Sequence, residues 1–556
     1  MRFQGGFIWD FIDQSLRSKN RYGEEYQAYG GDFLERPTDF DFSGNGILDG
    51  NRRPYEKMQE VKFCYQGLSI RICQRERSFW IKNRFLFTDA SEFDCLLILE
   101  REGRRIREES LSLSLPPLSE RKYALPDLPE LSAGEYALTL SFRLREDRPY
   151  AKRGYEIAFG QTVFRIEEAS ALPPAGGAGW GEKSSGEAFA AAADPASGFG
   201  LRSRQPFTGD GEESPGEADF CGSFSFPDNY SSAKSGGLGR RGLRLIRGSC
   251  NIGIRGEHFD LLFSLLKGGL VSYRYAGREL LERLPRPNFW RAPISNDLGN
   301  QMPLRCGIWK LAGLYQTARP LETDPHSPGA EDFLRYPILS ETEDFIELKW
   351  KHYLPGTLGT PLYLSYRVFP DGRVRVILDY PGNAQLPPMP EFGYLLILNA
   401  DFKRLRYYGL GPGENYCDRR SGARLGIYER EIAQLREPYL VPQESGNRCA
   451  VRWAEITDER GRGLRLSGVD FRPCVPADPH MAEPGSMELS ASNYTPEQLE
   501  EALHAHELPR PQFTVLRANL KQMGVGGDDS WGARTHEEYL LPNDRALQFA
   551  FDFKGI

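Results

Sequence analysis

GGFIWDFIDQSL at Gly5–Leu16 and YGGDFLERPTDFDFSGNGILDGNRRPYE at Tyr29–Glu56 decide how the rest of the chain is read. Phe7, Ile8 and Trp9 form an apolar run that reads as a buried strand. It passes directly into Asp10, Asp13 and Gln14, polar groups placed where a strand would end. Paired glycines, several aspartates and further aromatics follow within a short span. Aromatic rings beside carboxylates and amides, on loops at a strand end, suit sugar binding: the rings pack on C–H-rich sugar faces and the polar groups fix hydroxyls. A tight turn around a core tryptophan would account for the same pattern.

Bulk properties narrow the field. A length of 556 residues suggests about three domains. A hydrophobic content of 40% allows sizeable cores. The net charge of −7 comes from 77 acidic and 70 basic groups mixed along the chain, with no Lys/Arg block, so nucleic acid is not expected as a partner. Nine scattered cysteines without a CxxC pair argue against a disulfide framework or a zinc site and point to reduced thiols in the cytoplasm. No apolar run approaches the ~18 residues of a membrane span. No basic and apolar leader precedes Phe7, so a signal peptide is not expected, and a chain that starts inside a core strand reads as part of something longer.

Past residue 54 the texture becomes mainly β. WIKNRFLFTDASEFDCLLILEREGRRI (Trp80–Ile106), EYALTLSFRLRE (Glu135–Glu146) and YEIAFGQTVFRI (Tyr155–Ile166) alternate with period two and predict an immunoglobulin-like β-sandwich over 55–167. Residues 168–245 are rich in Ala, Gly, Ser and Pro and read as a flexible linker insertion. From 246 to 556 strands return, as in FIELKWKHY (Phe345–Tyr353) and RVRVILDY (Arg373–Tyr380), and predict a large many-stranded sandwich. TPEQLEEALHAHEL (Thr495–Leu508) alone reads as a helix: Thr495 can cap it, Pro496 opens it, and Leu499 and Leu503 share a face. His504 and His506, two apart on such a helix, would face different sides and suit no common metal.

GGFIWDFIDQSL, AYGGDF (Ala28–Phe33) and FSGNGI (Phe42–Ile47) resemble, in wording, order and spacing, the end of the catalytic barrel in the large bacterial β-galactosidases of glycoside hydrolase family 2. NFWRAPISND (Asn288–Asp297), YYGLGPGENYCDR (Tyr407–Arg419), YLVPQESGNRC (Tyr439–Cys449) and MGVGGDDSW (Met523–Trp531) resemble the last domain of the same enzymes. The resemblance implies that residues 1–54 carry the last strand of a (β/α)8 barrel and that 246–556 form a supersandwich. It implies hydrolysis of terminal β-D-galactosides such as lactose with retention, in an enzyme that is often a homo-oligomer.

The resemblance also implies site residues. Trp9 matches a tryptophan that floors the galactose subsite. Phe42 and Asn45 match residues that hold a sodium ion through a main-chain carbonyl and a side-chain amide. Neutral oxygens suit that hard cation. A turn asparagine before Gly46 explains Asn45 equally well. The two catalytic glutamates and the magnesium ligands of the family fall before Met1, and Asp10 and Asp13 match neither glutamate. Thr38 stands where some members have an amide at a second magnesium site. Val515 stands where some have a tryptophan platform for the leaving sugar, with Phe513 about 7 Å away on the same strand face. Within the last-domain words, Glu414 and Asp418 read as surface or interface groups, and Asp528 and Asp529 as turn or cap carboxylates. The chain is therefore expected to be a fragment or subunit, inactive alone: either a truncated piece of the enzyme, the favoured reading, or a chain able to pair with a large catalytic chain or N-terminal fragment. The competing expectation is a non-catalytic carbohydrate-binding or assembly subunit.

Overall fold

A computed structural model describes residues 5–167, 242–318, 337–470, 485–529 and 532–556. They belong to one unit, Met1–Gly179 with Leu238–Ile556; a second unit, Trp180–Gly237, lies outside the described residues. So does nearly all of the 168–245 range expected as a linker; a strand, Arg244–Arg247, begins at its end.

Alternation in the sequence becomes alternation in burial. In Ile346–Tyr353, Ile346, Leu348, Trp350 and His352 point inward, while Glu347, Lys349 and Lys351 do not. This strand belongs to a nine-stranded antiparallel sheet in which Val374–Tyr380 and Leu547–Gly555 are central neighbours. Burial pulls the inward His352 down to about 4, and its Nε2–H donates to the Gly268 carbonyl at 2.8 Å. A neutral histidine thereby fits an apolar core.

Two five-stranded sheets complete the C-terminal region. One orders Leu281–Asn288, Glu391–Asn399, Phe513–Gln522, Met487–Ser492 and Asn447–Val451. Every residue of Phe513–Gln522 is buried. Leu516 and Ala518 face the main core, and Arg517 faces the other way, under a cover of loops. Between residues 68 and 166 a three-stranded and a four-stranded sheet enclose a separate apolar core that includes Leu97, Leu138 and Phe142.

Helical content departs from expectation. Met58–Cys64 is a helix where β structure was expected to begin. Ser295–Gly299, Met302–Cys306 and Ile308–Tyr315 follow the NFWRAPISND word. Trp309, Ala312 and Gly313 recur at helical spacing and bury one face of the last of these. The expected helix over 495–508 stops at Glu501, so Leu503 does not share the buried face of Leu499 and is exposed. Its start is as expected: Thr495 Oγ1 accepts from Gln498 N at 3.3 Å, and Gln498 reaches back to Thr495 N. Thr495→Ala is expected to cost about 1 kcal/mol in chemical denaturation, and an unchanged midpoint would contradict the cap. No described helix is long and apolar enough to cross a membrane.

Candidate functional site

The opening apolar run is not a buried strand in this chain. Phe7 is fully exposed, Trp9 is 77% exposed, and no described strand pairs with Phe7–Trp9. A strand needs a ladder partner for its backbone groups and a surface for its side chains, and the described residues offer neither. Trp9 is accordingly not a core tryptophan here.

The polar residues after it are tightly organised. Phe11 O accepts from both Ile47 N and Leu48 N at 3.1 and 3.0 Å, and Gln14 N donates to Ser43 O at 3.0 Å. These bonds lay the segment after Trp9 against the FSGNGI loop. Gly46 fits so closely that a Cβ there would lie 2.2 Å from Asp13 N. Asp13, 4% exposed, accepts from Gly46 N at 2.7 Å and from the Tyr55 hydroxyl. Burial holds the Asp13 carboxyl above its ordinary range against those two bonds. Its oxygens are committed, so it is no half of a catalytic pair with Asp10, which accepts from Gln14 Nε2.

Asn45 Oδ1 is buried without a hydrogen-bond partner. An asparagine serving only its turn would spend that oxygen on a nearby backbone N–H. A buried neutral oxygen left open fits a hard cation. Phe42 precedes it by three residues, in the 3₁₀ turn Phe40–Ser43, and is exposed. The Thr38 hydroxyl accepts from Phe40 N at 3.2 Å. Among the described residues no group of three or more His, Cys, Asp or Glu side chains is arranged to hold a metal.

The four words of the last domain, far apart in sequence, interlock. Arg291, fully buried, donates to Met523 O at 2.6 Å and Gly524 O at 3.0 Å and pairs with Asp297 at 3.1 Å. Asp418 accepts from Gly526 N at 2.7 Å, Gln443 Oε1 from Ser295 N at 3.2 Å, and Glu414 from Gly446 N at 2.7 Å. Glu414 is therefore no surface group. It is 2% exposed, paired with Arg419 at 2.6 Å and bonded by the Tyr439 hydroxyl at 2.8 Å. Burial pushes its carboxyl up, but Arg419 and these bonds bring it below the ordinary range. Asp528 pairs with His536 at 2.9 Å and Asp529 accepts from Ala533 N at 3.1 Å, both within their loop.

This assembly forms a second wall against the N-terminal loops. Leu440 sits where a Cβ on Gly44 would meet it at 3.0 Å, and the Asp41 carboxyl bonds with Ser295. Tyr439 and Tyr55 rings lie 4.9 Å apart. Glu56 N donates to Glu437 at 3.0 Å, and the Glu56 carboxylate pairs with buried Arg448 at 3.0 Å. Glu60 accepts from Gly422 N at 2.7 Å. Tyr55, Glu56, Glu437 and Tyr439 all lie inside the quoted stretches or beside them, but their pairing across about 380 residues has no local signal.

The histidines also differ from expectation. His504 precedes a 3₁₀ turn in extended backbone, so its ring stacks on His506 at 5.2 Å with 10° between planes. Tyr26 meets both rings edge-on, His504 Nε2 contacts Asp32 at 2.8 Å, and the Tyr29 hydroxyl donates to Leu503 O at 2.7 Å. The pair serves as a docking post for the N-terminal segment. Val515 and Phe513 are 2% and 4% exposed and pack with Leu395 and Ile397, so neither presents a free platform.

The geometry thus supplies walls and an open amide oxygen, while the buried aspartates beside them, Asp13 and Asp49, are structurally engaged. Comparison with known proteins agrees with the sequence words. The family model described as "Beta galactosidase small chain" matches residues 255–553, "Beta-galactosidase, domain 4" matches 79–165, and "Glycosyl hydrolases family 2, TIM barrel domain" matches 1–70. The chain is 36% identical to the β-galactosidase of Halalkalibacterium halodurans, with 100% of this chain and 46% of that protein aligned. It is 32% identical to that of Priestia megaterium (100% and 45%) and to that of Streptococcus thermophilus (99% and 44%). The chain spans about half the length of the curated relatives it matches.

Proposed function

Because the chain belongs to the β-galactosidase small-chain family, we propose that it is the C-terminal portion of a retaining glycoside hydrolase that removes terminal β-D-galactose from β-galactosides such as lactose. One observation carries this reading: the loops bearing Trp9, Phe42 and Asn45 are held firmly from behind while their aromatic rings stay exposed and the Asn45 oxygen stays open. Such a wall is complete as a support and incomplete as a site. A retaining glycosidase needs two carboxyl groups about 5–5.5 Å apart. On this reading that pair would lie in a part of the barrel outside this chain, whose residues 1–70 match the family's barrel model.

Trp9 would floor the galactose ring. The Phe42 carbonyl and Asn45 Oδ1 would hold sodium, which would supply a positive point for a sugar hydroxyl. Magnesium would bind through ligands outside this chain. The exposed faces of Phe7, Trp9, Phe11 and Phe42 would be covered by the rest of the barrel, from the same polypeptide or a separate large chain. The complete enzyme would be a cytoplasmic homo-oligomer; the seven described cysteines are all free thiols, which suits a reducing compartment.

A chromogenic β-galactoside assay tests the reading. The purified chain is expected to show no turnover, and mixing it with a fragment carrying the rest of the barrel is expected to restore it. Turnover by the chain alone at nanomolar concentration would contradict the assignment of both glutamates to a region outside this chain. Galactose binding without rescue by any such fragment would favour a non-catalytic carbohydrate-binding subunit.

A further inference from the structure

We infer that Asp13 is a positioning residue: its buried carboxylate sets the direction of the Asn45 side chain and ties that loop to the C-terminal domain. The inference rests on the reading of Asn45 as a cation ligand.

Asp13 accepts two hydrogen bonds from groups 33 and 42 residues further along the chain. One comes from Gly46 N, at 2.7 Å, and the other from the Tyr55 hydroxyl. The Gly46 amide belongs to the peptide plane that follows Asn45, so holding it restricts where the Asn45 side chain can point. The backbone of Asp13 grips the same loop, through Asp13 N to Leu48 O at 3.0 Å. Tyr55 is 2% exposed; beyond its hydroxyl lies Pro438 O at 3.5 Å, and its ring faces Tyr439. The Tyr439 hydroxyl in turn donates to Glu414 at 2.8 Å. Lys57 Nζ lies over both tyrosine rings, at 5.0 and 5.2 Å. Asp13 is thus where the segment after Trp9, the Asn45 loop and the 437–440 loop of the last domain are joined.

The residue type fits the task. A carboxylate accepts at both oxygens and donates at neither, which matches two incoming donors. Alanine would leave Gly46 N buried and unpaired, and Tyr55 OH with only its long contact to Pro438 O. Asparagine would keep an acceptor for Gly46 N and lose charge assistance. Groups that orient a metal ligand typically change metal affinity about 10- to 100-fold when removed.

The test is amide hydrogen exchange of the full chain, read on peptides covering residues 42–48, in molar choline chloride and in molar sodium chloride. Asp13→Ala is expected to speed exchange at Gly46–Leu48 by about ten- to a hundredfold in choline, the loss of a buried charged bond. Peptides from Phe513–Gln522 should keep wild-type protection. Asp13→Asn is expected to restore most of the protection, and Tyr55→Phe to give an intermediate rise. Wild-type exchange at 42–48 in both Asp13→Ala and Tyr55→Phe overturns the inference. If Asp13→Ala loses protection everywhere, Tyr55→Phe, which keeps the ring, decides alone. Sodium is expected to slow exchange of 42–48 further in wild type, and Asn45→Ala to abolish only that increment. A wild-type chain indifferent to sodium overturns the cation reading of Asn45, whereas the Asp13 variants fail or succeed on their choline rates.

Discussion

Arg517→Met is expected to lower the unfolding free energy of the C-terminal region by about 3–5 kcal/mol, the usual cost of removing one partner from a buried ionic group. Arg517 lies between two carboxylates. It donates to Glu391 through one nitrogen and to both oxygens of Glu444, at 2.6 Å each, through another. The three side chains are 7%, 0% and 0% exposed. Asn288 Nδ2 also donates to Glu391, at 2.8 Å. Burial first, and then the neighbouring Glu444 carboxylate, drive Glu391 upward even with Arg517 beside it. Methionine matches the length of the arginine stem but leaves two buried anions to be protonated or hydrated. The loss should therefore shrink as pH falls. Adding Glu391→Gln and Glu444→Gln to Arg517→Met should recover most of it, because an uncharged cluster no longer carries unpaired anions. The measurement is the chemical-denaturation midpoint. A single variant as stable as wild type at neutral pH would refute the pairing.

The junction between the N-terminal loops and the last domain is expected to weaken as pH rises from about 5 to about 8. Glu437 is the cause. Burial first, then the neighbouring Glu414 and Glu56 carboxylates, push it from 4.5 up to about 8, while Glu56 N and Arg448 oppose this. Between those values the folded chain holds a proton that the unfolded chain has released. Raising the pH across that window therefore favours unfolding, and below it both states are protonated and the effect is gone. The size is on the order of a few kcal/mol. Glu437→Gln mimics the protonated form, so it should flatten the pH dependence and raise stability at the alkaline end. A variant whose stability follows the wild-type pH curve would rule Glu437 out as the titrating group.

Both predictions concern groups whose importance is invisible locally. Glu437 and Glu444 sit seven residues apart in a loop with no distinctive period. Nothing in VPQES distinguishes a solvated glutamate from one enclosed by Arg517, which is 73 positions away. The Phe513–Gln522 strand shows the same limit. Its charged Arg517 and Lys521 suggest a solvent face, yet loops cover that face and every residue is buried.

Other features were legible. Strands with one apolar face, such as Ile346–Tyr353, announced themselves because burial on one side imposes period two. The start of the Thr495 helix was legible from its capping residues; its early end was not, because the chain turns to stack His504 on His506 with Tyr26 edge-on to both. Phe7–Trp9 read as a strand because its composition suits a barrel interior, yet pairing depends on neighbouring strands that the described residues do not include.

The sequence by itself determined the family, through words whose order and spacing are specific, and the mainly β class, through alternation that any half-buried strand must show. It also placed Trp9, Phe42 and Asn45 as the candidate wall. Only the tertiary structure decided that the four last-domain words meet, that Glu414 is buried, and that Asp13 is a brace beside an open Asn45 oxygen. The reason is physical: periodicity and motifs report short-range constraints, whereas desolvation and hydrogen-bond completion depend on groups hundreds of residues away.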